Sequence, residues 1–330
     1  MAATAFGSVF SETMALSAYE SGRFDDHELV AFHSLALSPA AHVLHYGSAC
    51  FEGLKAHRGR DGVVRMFRLD RHVERMRISA ELLCLPEPPV DLLTEMVRDT
   101  VAANREDVPE PPGALYLRPV LIGTEPNIGA AARPSDTVLL YVLASPVGDY
   151  FDTSRTLTVA VETELPRTTP QFGQVKTGAN YAMALGITRR AAEQHGADQV
   201  LFAPDGMVQE TGAANFMMLD GNRIVTRALD GSFLHGVTRD SVLTIAREQG
   251  YDVEERDVTV DELVTRAPQV EMALSGTAAV LAPVGALVHE GERHTIGDGS
   301  PGPNTTKLRE TLQAVQRGET PDRWGWTTEV

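Results

Sequence analysis

Short extended runs separated by turn residues, with no regular alternation of strand and helix, constrain the fold of this chain most. Phe216 to Leu219 and Arg223 to Thr226 flank Asp220-Gly221-Asn222, which is strong hairpin chemistry. Met272 to Ser275 and Ala278 to Leu281 bracket Gly276-Thr277 in the same way, as a tight turn. Ala114 to Ile122, Thr137 to Leu143, Leu157 to Val161 and Gln199 to Ala203 read as further buried strands. Four helices are expected among them. One runs from a cap at Asp70 to about Leu83, before Pro86, Pro88 and Pro89, and a second covers Leu92 to Ala103. The third runs from Asn180 to His195 and stops at Gly196, and the fourth runs from Thr238 to Gln249 and closes at Gly250. This pattern argues against a doubly wound nucleotide fold. No glycine-rich dinucleotide fingerprint is present, so hydride transfer is not indicated.

At 330 residues the chain exceeds the usual size of one core. The expected fold class is mixed, α+β or α/β, in two domains. Residues 1–145 form a smaller N-terminal α/β domain, 146–156 a linker whose Tyr150 and Phe151 line the cleft, and 157–330 a larger, mostly β domain with helices. The formal charge of −16 speaks against nucleic acid and acidic membrane surfaces as partners. The first twenty residues carry no Lys or Arg and no sustained apolar core, and no apolar run is long enough to span a bilayer, so a cytoplasmic protein is expected. Cys50 and Cys84 lack paired-ligand spacing and sit in apolar surroundings, which suggests buried thiols rather than a disulfide or a metal site.

The chain has three lysines against 26 arginines, and Lys176 is the sole charged residue between Thr168 and Thr188. A guanidinium stays protonated and cannot attack a carbonyl, whereas a desolvated amine can lose its proton, so Lys176 is a candidate for a Schiff base. A lysine snorkelling from a buried stem is the other reading. Three features converge on it. In Gln209-Glu210-Thr211-Gly212-Ala213-Ala214-Asn215-Phe216, the Glu210 carboxylate can hold a heterocyclic nitrogen protonated, as a pyridine cofactor acting as electron sink requires; alone, it also reads as an exposed turn residue. Leu234-His235-Gly236-Val237-Thr238 leads into a helix whose free amides and Thr238 hydroxyl suit a phosphate, although an ordinary capped helix start looks the same. Ser275-Gly276-Thr277-Ala278 places small residues at a strand turn, where amides can bind an anion or merely close the turn.

Together with His45-Tyr46-Gly47-Ser48-Ala49-Cys50-Phe51-Glu52-Gly53, Phe67-Arg68-Leu69-Asp70-Arg71-His72-Val73-Glu74-Arg75-Met76, Leu115-Tyr116-Leu117-Arg118-Pro119-Val120-Leu121-Ile122-Gly123-Thr124-Glu125-Pro126 and Asp322-Arg323-Trp324-Gly325-Trp326, these residues resemble the class IV, or fold-type IV, pyridoxal-phosphate aminotransferases. More narrowly, they resemble the branched-chain amino acid aminotransferases. The resemblance spans nearly the whole chain. It implies that Lys176 forms the internal aldimine and then shuttles the substrate proton, with Glu210 on the pyridine nitrogen and Tyr181 donating to the phenolate oxygen. Arg75, Val237, Thr238 and Thr277 would bind the phosphate, and Leu234 would pack against the ring. On the substrate side it implies apolar walls from Tyr46, Phe51, Tyr150 and Tyr181. Tyr116 and the Thr277 and Ala278 amides would take the α-carboxylate, and Arg118 the distal carboxylate of glutamate. Arg118 and Tyr116 share a strand face by alternation, while an outward strand arginine is the alternative.

The resemblance further implies a homodimer, with Tyr46 contributed by the partner subunit, and a ping-pong reaction of L-leucine, L-isoleucine and L-valine with 2-oxoglutarate. D-amino acid transaminases and aminodeoxychorismate lyases share the fold, but the Tyr116/Arg118 pair and Gly123-Thr124-Glu125-Pro126 disfavour both. Two departures stand out: His235 where the family commonly has proline, and Ala213-Ala214 in a stretch that varies. Neither touches a catalytic group, but Gly173-Gln174-Val175 before Lys176 also differs from the strings of central-metabolic enzymes and leaves room for a specialised-metabolism substrate. His235 itself reads as a solvent-facing loop residue.

Overall fold

A computed structural model describes residues 6–148 and 155–330. In chain order the elements begin with β1 (Thr13–Glu20), β2 (Arg23–Phe24), β3 (Glu28–Ala31), α1 (His42–Tyr46), β4 (Ala49–Phe51), β5 (Leu54–Arg58), β6 (Val64–Phe67), α2 (Leu69–Leu82) and α3 (Val90–Ala103). Then come β7 (Ala114–Gly123), β8 (Val138–Val147), β9 (Leu157–Glu162), α4 (Gly178–His195), β10 (Gln199–Phe202), β11 (Asn215–Asp220), β12 (Arg223–Thr226) and α5 (Val237–Glu248). The chain ends with β13 (Asp252–Glu255), α6 (Val260–Arg266), β14 (Glu271–Gly276), β15 (Val280–His289), β16 (Glu292–Thr295), α7 (Pro303–Gln316) and β17 (Thr327–Glu329).

Two compact units divide these elements. The first comprises Met1–Tyr150, Val175–Gly178 and Ala314–Val330, and the second Phe151–Gln174 and Ala179–Gln313. The first unit is built on an antiparallel sheet ordered β17-β6-β5-β7-β8-β1-β2, with β3 on β1 and β4 on β7. One sheet face packs on α2 and α3 through Leu54, Ala56, Met66, Val73, Met76, Met96, Val97, Leu115 and Leu117, all essentially buried. Because side chains alternate across a strand, the opposite face carries Lys55, His57, Tyr116 and Arg118. This is how one short strand, Leu-Lys-Ala-His-Arg, serves the apolar core with Leu54 and Ala56 and a buried polar layer with Lys55 and His57.

In the second unit the sheet runs β10-β9-β15-β14-β11-β12-β13, with β16 on β15. It is mixed. β9 pairs in parallel with both β10 and β15, and β12 with β13. Parallel neighbours need a crossover, and α4 and α5 provide two of them, between β9 and β10 and between β12 and β13. The core is apolar, with Val159, Leu201, Val225, Leu263 and Leu287 buried.

Several expected boundaries shift. The residue-220 hairpin forms with Asp220 opposite Arg223, and Gly221 takes a φ of 57°, as its two-residue turn demands. The turn expected at Gly276-Thr277 is a loop of 277–279, because β14 runs through Gly276 and pairs it with Val280. Asp70 does not cap α2. The cap position is Arg68, at a φ of 52°, and Asp70 lies in the first turn, where its charge complements the helix dipole. β8 continues through Pro146 to Val147, so pairing reaches into the segment read as a linker, of which 149–154 lie outside the described residues. Cys84 is exposed rather than buried, since α2 ends in a Schellman turn that puts Cys84 in the left-handed region and points it outward. Among the described residues no helix is long and apolar enough to cross a membrane, and no cluster of His, Cys, Asp and Glu forms a metal site.

Candidate active site

Lys176 is held by the first unit. Its N–H donates to Ser79 Oγ at 3.1 Å, its carbonyl accepts from Phe51 N–H at 3.0 Å, and its Nζ lies 5.0 Å from the centre of the Phe51 ring. The Arg118 guanidinium lies 4.5 Å from the centre of the same ring. Arg118 Nη2 also donates to Tyr116 Oη at 2.9 Å. Strand alternation on β7 therefore brings Arg118 inward beside Tyr116, and the two meet Phe51 and, through it, Lys176. Gly53 is required for this arrangement: a Cβ there would stand 2.0 Å from Tyr116 Oη.

Arg75, on the buried face of α2, is anchored from behind. Its Nε and Nη2 donate to the two Glu52 oxygens at 2.6 and 2.9 Å, and His72 Nδ1 and Gly53 N–H donate to Glu52 Oε2 at 2.6 and 3.0 Å. Burial opposes ionisation of Glu52, but the Arg75 guanidinium and His72 outweigh it and hold the carboxyl well below the usual carboxylate range. Burial, in turn, pushes His72 below its usual range, so a neutral imidazole donates from Nδ1. Tyr46 is exposed on α1, with ring contacts to His42 and His45 and its hydroxyl donating to the Ile128 carbonyl. Tyr150 lies outside the described residues.

The second unit carries the other expected residues, among them Glu210, which is 2% exposed. Its Oε1 accepts from Arg167 Nη1 at 2.5 Å and from Leu234 N–H at 3.0 Å, and its Oε2 accepts from Asn215 Nδ2 at 3.2 Å. Glu210 is therefore no exposed turn residue. Arg167 also stacks on Tyr181, its guanidinium carbon 5.7 Å from the ring centre. Asn215 donates a second bond to the Leu234 carbonyl at 2.8 Å and presses on Gly236, where a Cβ would lie 2.0 Å from Asn215 Oδ1. Gly236 is thus fixed by close approach. It brings the chain into α5 with no capping side chain, so the first-turn amides beside Val237 and Thr238 have no side-chain acceptor from the cap. Thr277 and Ala278 lie in the 277–279 loop, which ends at Val280 with a φ of 59°. That conformation is strained for a β-branched residue.

Comparisons with known proteins identify the family. Residues 49–287 match the family described as amino-transferase class IV. The branched-chain-amino-acid aminotransferase 2 of Bacillus subtilis is 37% identical over 336 residues, which cover 98% of this chain and 92% of that one. The chain belongs to the class IV aminotransferases. The chloroplastic branched-chain-amino-acid aminotransferase 5 of Arabidopsis thaliana is 38% identical, over 96% of this chain and 76% of that protein. Among solved structures, the branched-chain amino acid aminotransferase of T.th. with pyridoxamine 5'-phosphate matches with a TM-score of 0.79 at 26% identity, covering 97% of this chain and 99% of that one.

Three residues that shape this aminotransferase's site are not apparent from sequence reasoning. Arg167 sits one residue before the segment in which Lys176 is the sole charge. Asn180, fully buried, accepts from Thr168 Oγ1 at 2.8 Å and donates to the Phe172 carbonyl at 3.0 Å, tying α4 to the turn before Lys176. Glu52 stands inside a recognised string, but its partners His72 and Arg75 lie two strands further on, in α2. His235 is half-buried, with Nε2 donating to the Asp230 carbonyl at 2.9 Å, and is not the solvent-facing residue expected.

Proposed function

We propose that this class IV aminotransferase transfers the amino group of L-leucine, L-isoleucine or L-valine to 2-oxoglutarate by a ping-pong reaction with pyridoxal phosphate. The products are branched-chain 2-oxo acids and L-glutamate. Arg118, resting on Phe51 and bonded to Tyr116, is the observation that carries this reading. One pocket must accept an apolar side chain and then the glutamate carboxylate. A guanidinium held against aromatic faces is tolerated beside the first and forms an ion pair with the second.

The donor set fits the cofactor. It offers a primary amine at Lys176, a buried carboxylate at Glu210, a guanidinium at Arg75, and amides beside Val237 and Thr238 that a glycine leaves uncapped. When bound, pyridoxal phosphate supplies the aldehyde carbon and the ring that accepts the electron pair of the broken Cα–H bond. Lys176 Nζ would take the substrate Cα proton and deliver it, across the amino nitrogen, to the carbon that was the cofactor's aldehyde. Glu210 would accept the ring N–H, Tyr181 would donate to the phenolate oxygen, and Leu234 would pack on the ring. Arg75, Val237, Thr238 and Thr277 hold the phosphate. Tyr116 would take the α-carboxylate with the Thr277 and Ala278 amides, and Phe51, Tyr46, Tyr150 and Tyr181 would wall the side chain.

The working unit is a cytoplasmic homodimer in which Tyr46 reaches the partner's site. Tyr46 is hydrogen-bonded to the Ile128 carbonyl, Leu44 at 60% and Ile128 at 68% are exposed apolar side chains that a second copy would cover, and both cysteines are free thiols, as suits a reducing compartment. The visible spectrum tests the reading. The yellow band should fade with L-leucine alone and not with D-alanine, and Lys176→Ala should never develop it. A yellow protein unmoved by L-leucine would sink the substrate assignment.

A further inference from the structure

Among the described residues, the bulkiest fully buried side chain is an arginine, Arg167, 2% exposed in the second unit. A guanidinium removed from water is costly unless anions and acceptors surround it, so its partners identify its task. Nη1 donates to Glu210 Oε1 at 2.5 Å, Nε donates to the Gly212 carbonyl at 3.3 Å, and the guanidinium carbon stands 5.7 Å from the centre of the Tyr181 ring. One side chain thus touches both groups assigned above to the polar edges of the cofactor ring. Both Glu210 oxygens have partners. Oε1 takes Arg167 and the Leu234 N–H, whereas Oε2 takes Asn215 at a longer 3.2 Å.

We propose that Arg167 is a positioning residue that keeps Glu210 ionised and turned with Oε2 toward the cofactor ring before the cofactor arrives. The inference rests on the role of Glu210 in the proposed function. A carboxylate buried this deeply needs a countercharge. Without one it takes up a proton and becomes a hydrogen-bond donor, free to turn toward the Gly212 carbonyl that Arg167 now occupies. Loss of Arg167 therefore changes the charge of Glu210 in the empty protein, where no step of the reaction contributes.

Infrared spectra of the apoprotein at pH 7 test this. Arg167→Met should show the C=O band of a protonated buried carboxylic acid, absent from the wild type, absent from Arg167→Lys, and removed again in Arg167→Met/Glu210→Gln. Stability gives a second measurement, and it remains readable where Arg167→Met folds poorly. Glu210→Gln strands a buried cation, so it should melt below the double variant, which strands neither partner. No new band in a folded Arg167→Met, or melting losses in the double variant that equal the sum of the single ones, would overturn the proposal. A colourless wild type with a protonated Glu210 band in Arg167→Met would instead overturn the cofactor assignment and leave the Arg167–Glu210 pairing intact.

Discussion

At the scale of single residues, the site depends on side chains whose charge is affordable only in company. Arg118 is tolerated inside because Phe51 and Tyr116 lie against it. Arg118→Leu should leave the leucine half-reaction within about threefold while kcat/KM for 2-oxoglutarate falls by about a hundredfold or more, in line with the ~3–5 kcal/mol that follows the breaking of a desolvated charge pair. Stopped-flow measurement of each half-reaction separates the two, and equal losses in both would remove Arg118 from the role of carboxylate receptor. His57 is the opposite case. It is 5% exposed, and neither ring nitrogen has a hydrogen-bond partner. Burial, with the Lys55 and Arg317 charges adding to it, lowers its pKa from 6.5 to about 3. The unfolded chain then binds a proton that the folded protein refuses, so the His57 contribution is intact above pH 6.5 and is lost as the pH falls toward 3. The loss is about 1.4 kcal/mol per pH unit within that window. His57→Phe should raise the melting temperature at pH 8 by removing unsatisfied nitrogens, and raise it further at pH 5 by removing the titration. A gain independent of pH would contradict a neutral buried imidazole.

At the scale of elements, backbone conformation makes predictions that composition does not. α2 closes with Leu85 N–H on the Ala80 carbonyl and Cys84 N–H on the Glu81 carbonyl, both at 2.9 Å, which leaves Cys84 with a φ of 54° at a position that favours glycine. Cys84→Gly should therefore stabilise the protein by about 0.5–1 kcal/mol in urea unfolding. In the wild type, iodoacetamide should label Cys84 and spare Cys50, whose thiol burial pushes up to about 12. The same distinction between local and tertiary causes explains what could be read in advance. Helices α2 to α5 and the residue-220 hairpin are legible because their periodicity, stops and turn residues are local in the chain. β5 is not, since Lys55 and His57 interrupt its apolar pattern and make sense only once the opposite face is known to be polar. Lys176, Glu210 and the α5 entrance are legible as motifs of a chemistry. Arg167 and Glu52 are not, because a buried charge is justified by its partner, and no short window contains both.

At the scale of the whole molecule, two consequences follow from surface and chain path. The apolar surface at Leu44, Tyr46 and Ile128 should hold a dimer at micromolar concentration, and Leu44→Glu should shift sedimentation toward the monomer without altering the far-ultraviolet circular dichroism. A wild-type monomer would end the assignment of Tyr46 to a partner's site. The chain also passes from the first unit to the second and back twice, and the tetrapeptide Val175–Gly178 that carries Lys176 belongs by its contacts to the first. Phe51 N–H and Ser79 Oγ are among the groups that grip it. For recombination between relatives this matters more than any surface loop. A single crossover near residue 156 would inherit the grip from one parent and the reactive tetrapeptide from the other, so chimeras that keep their chemistry should be those in which 175–178 travels with the N-terminal half.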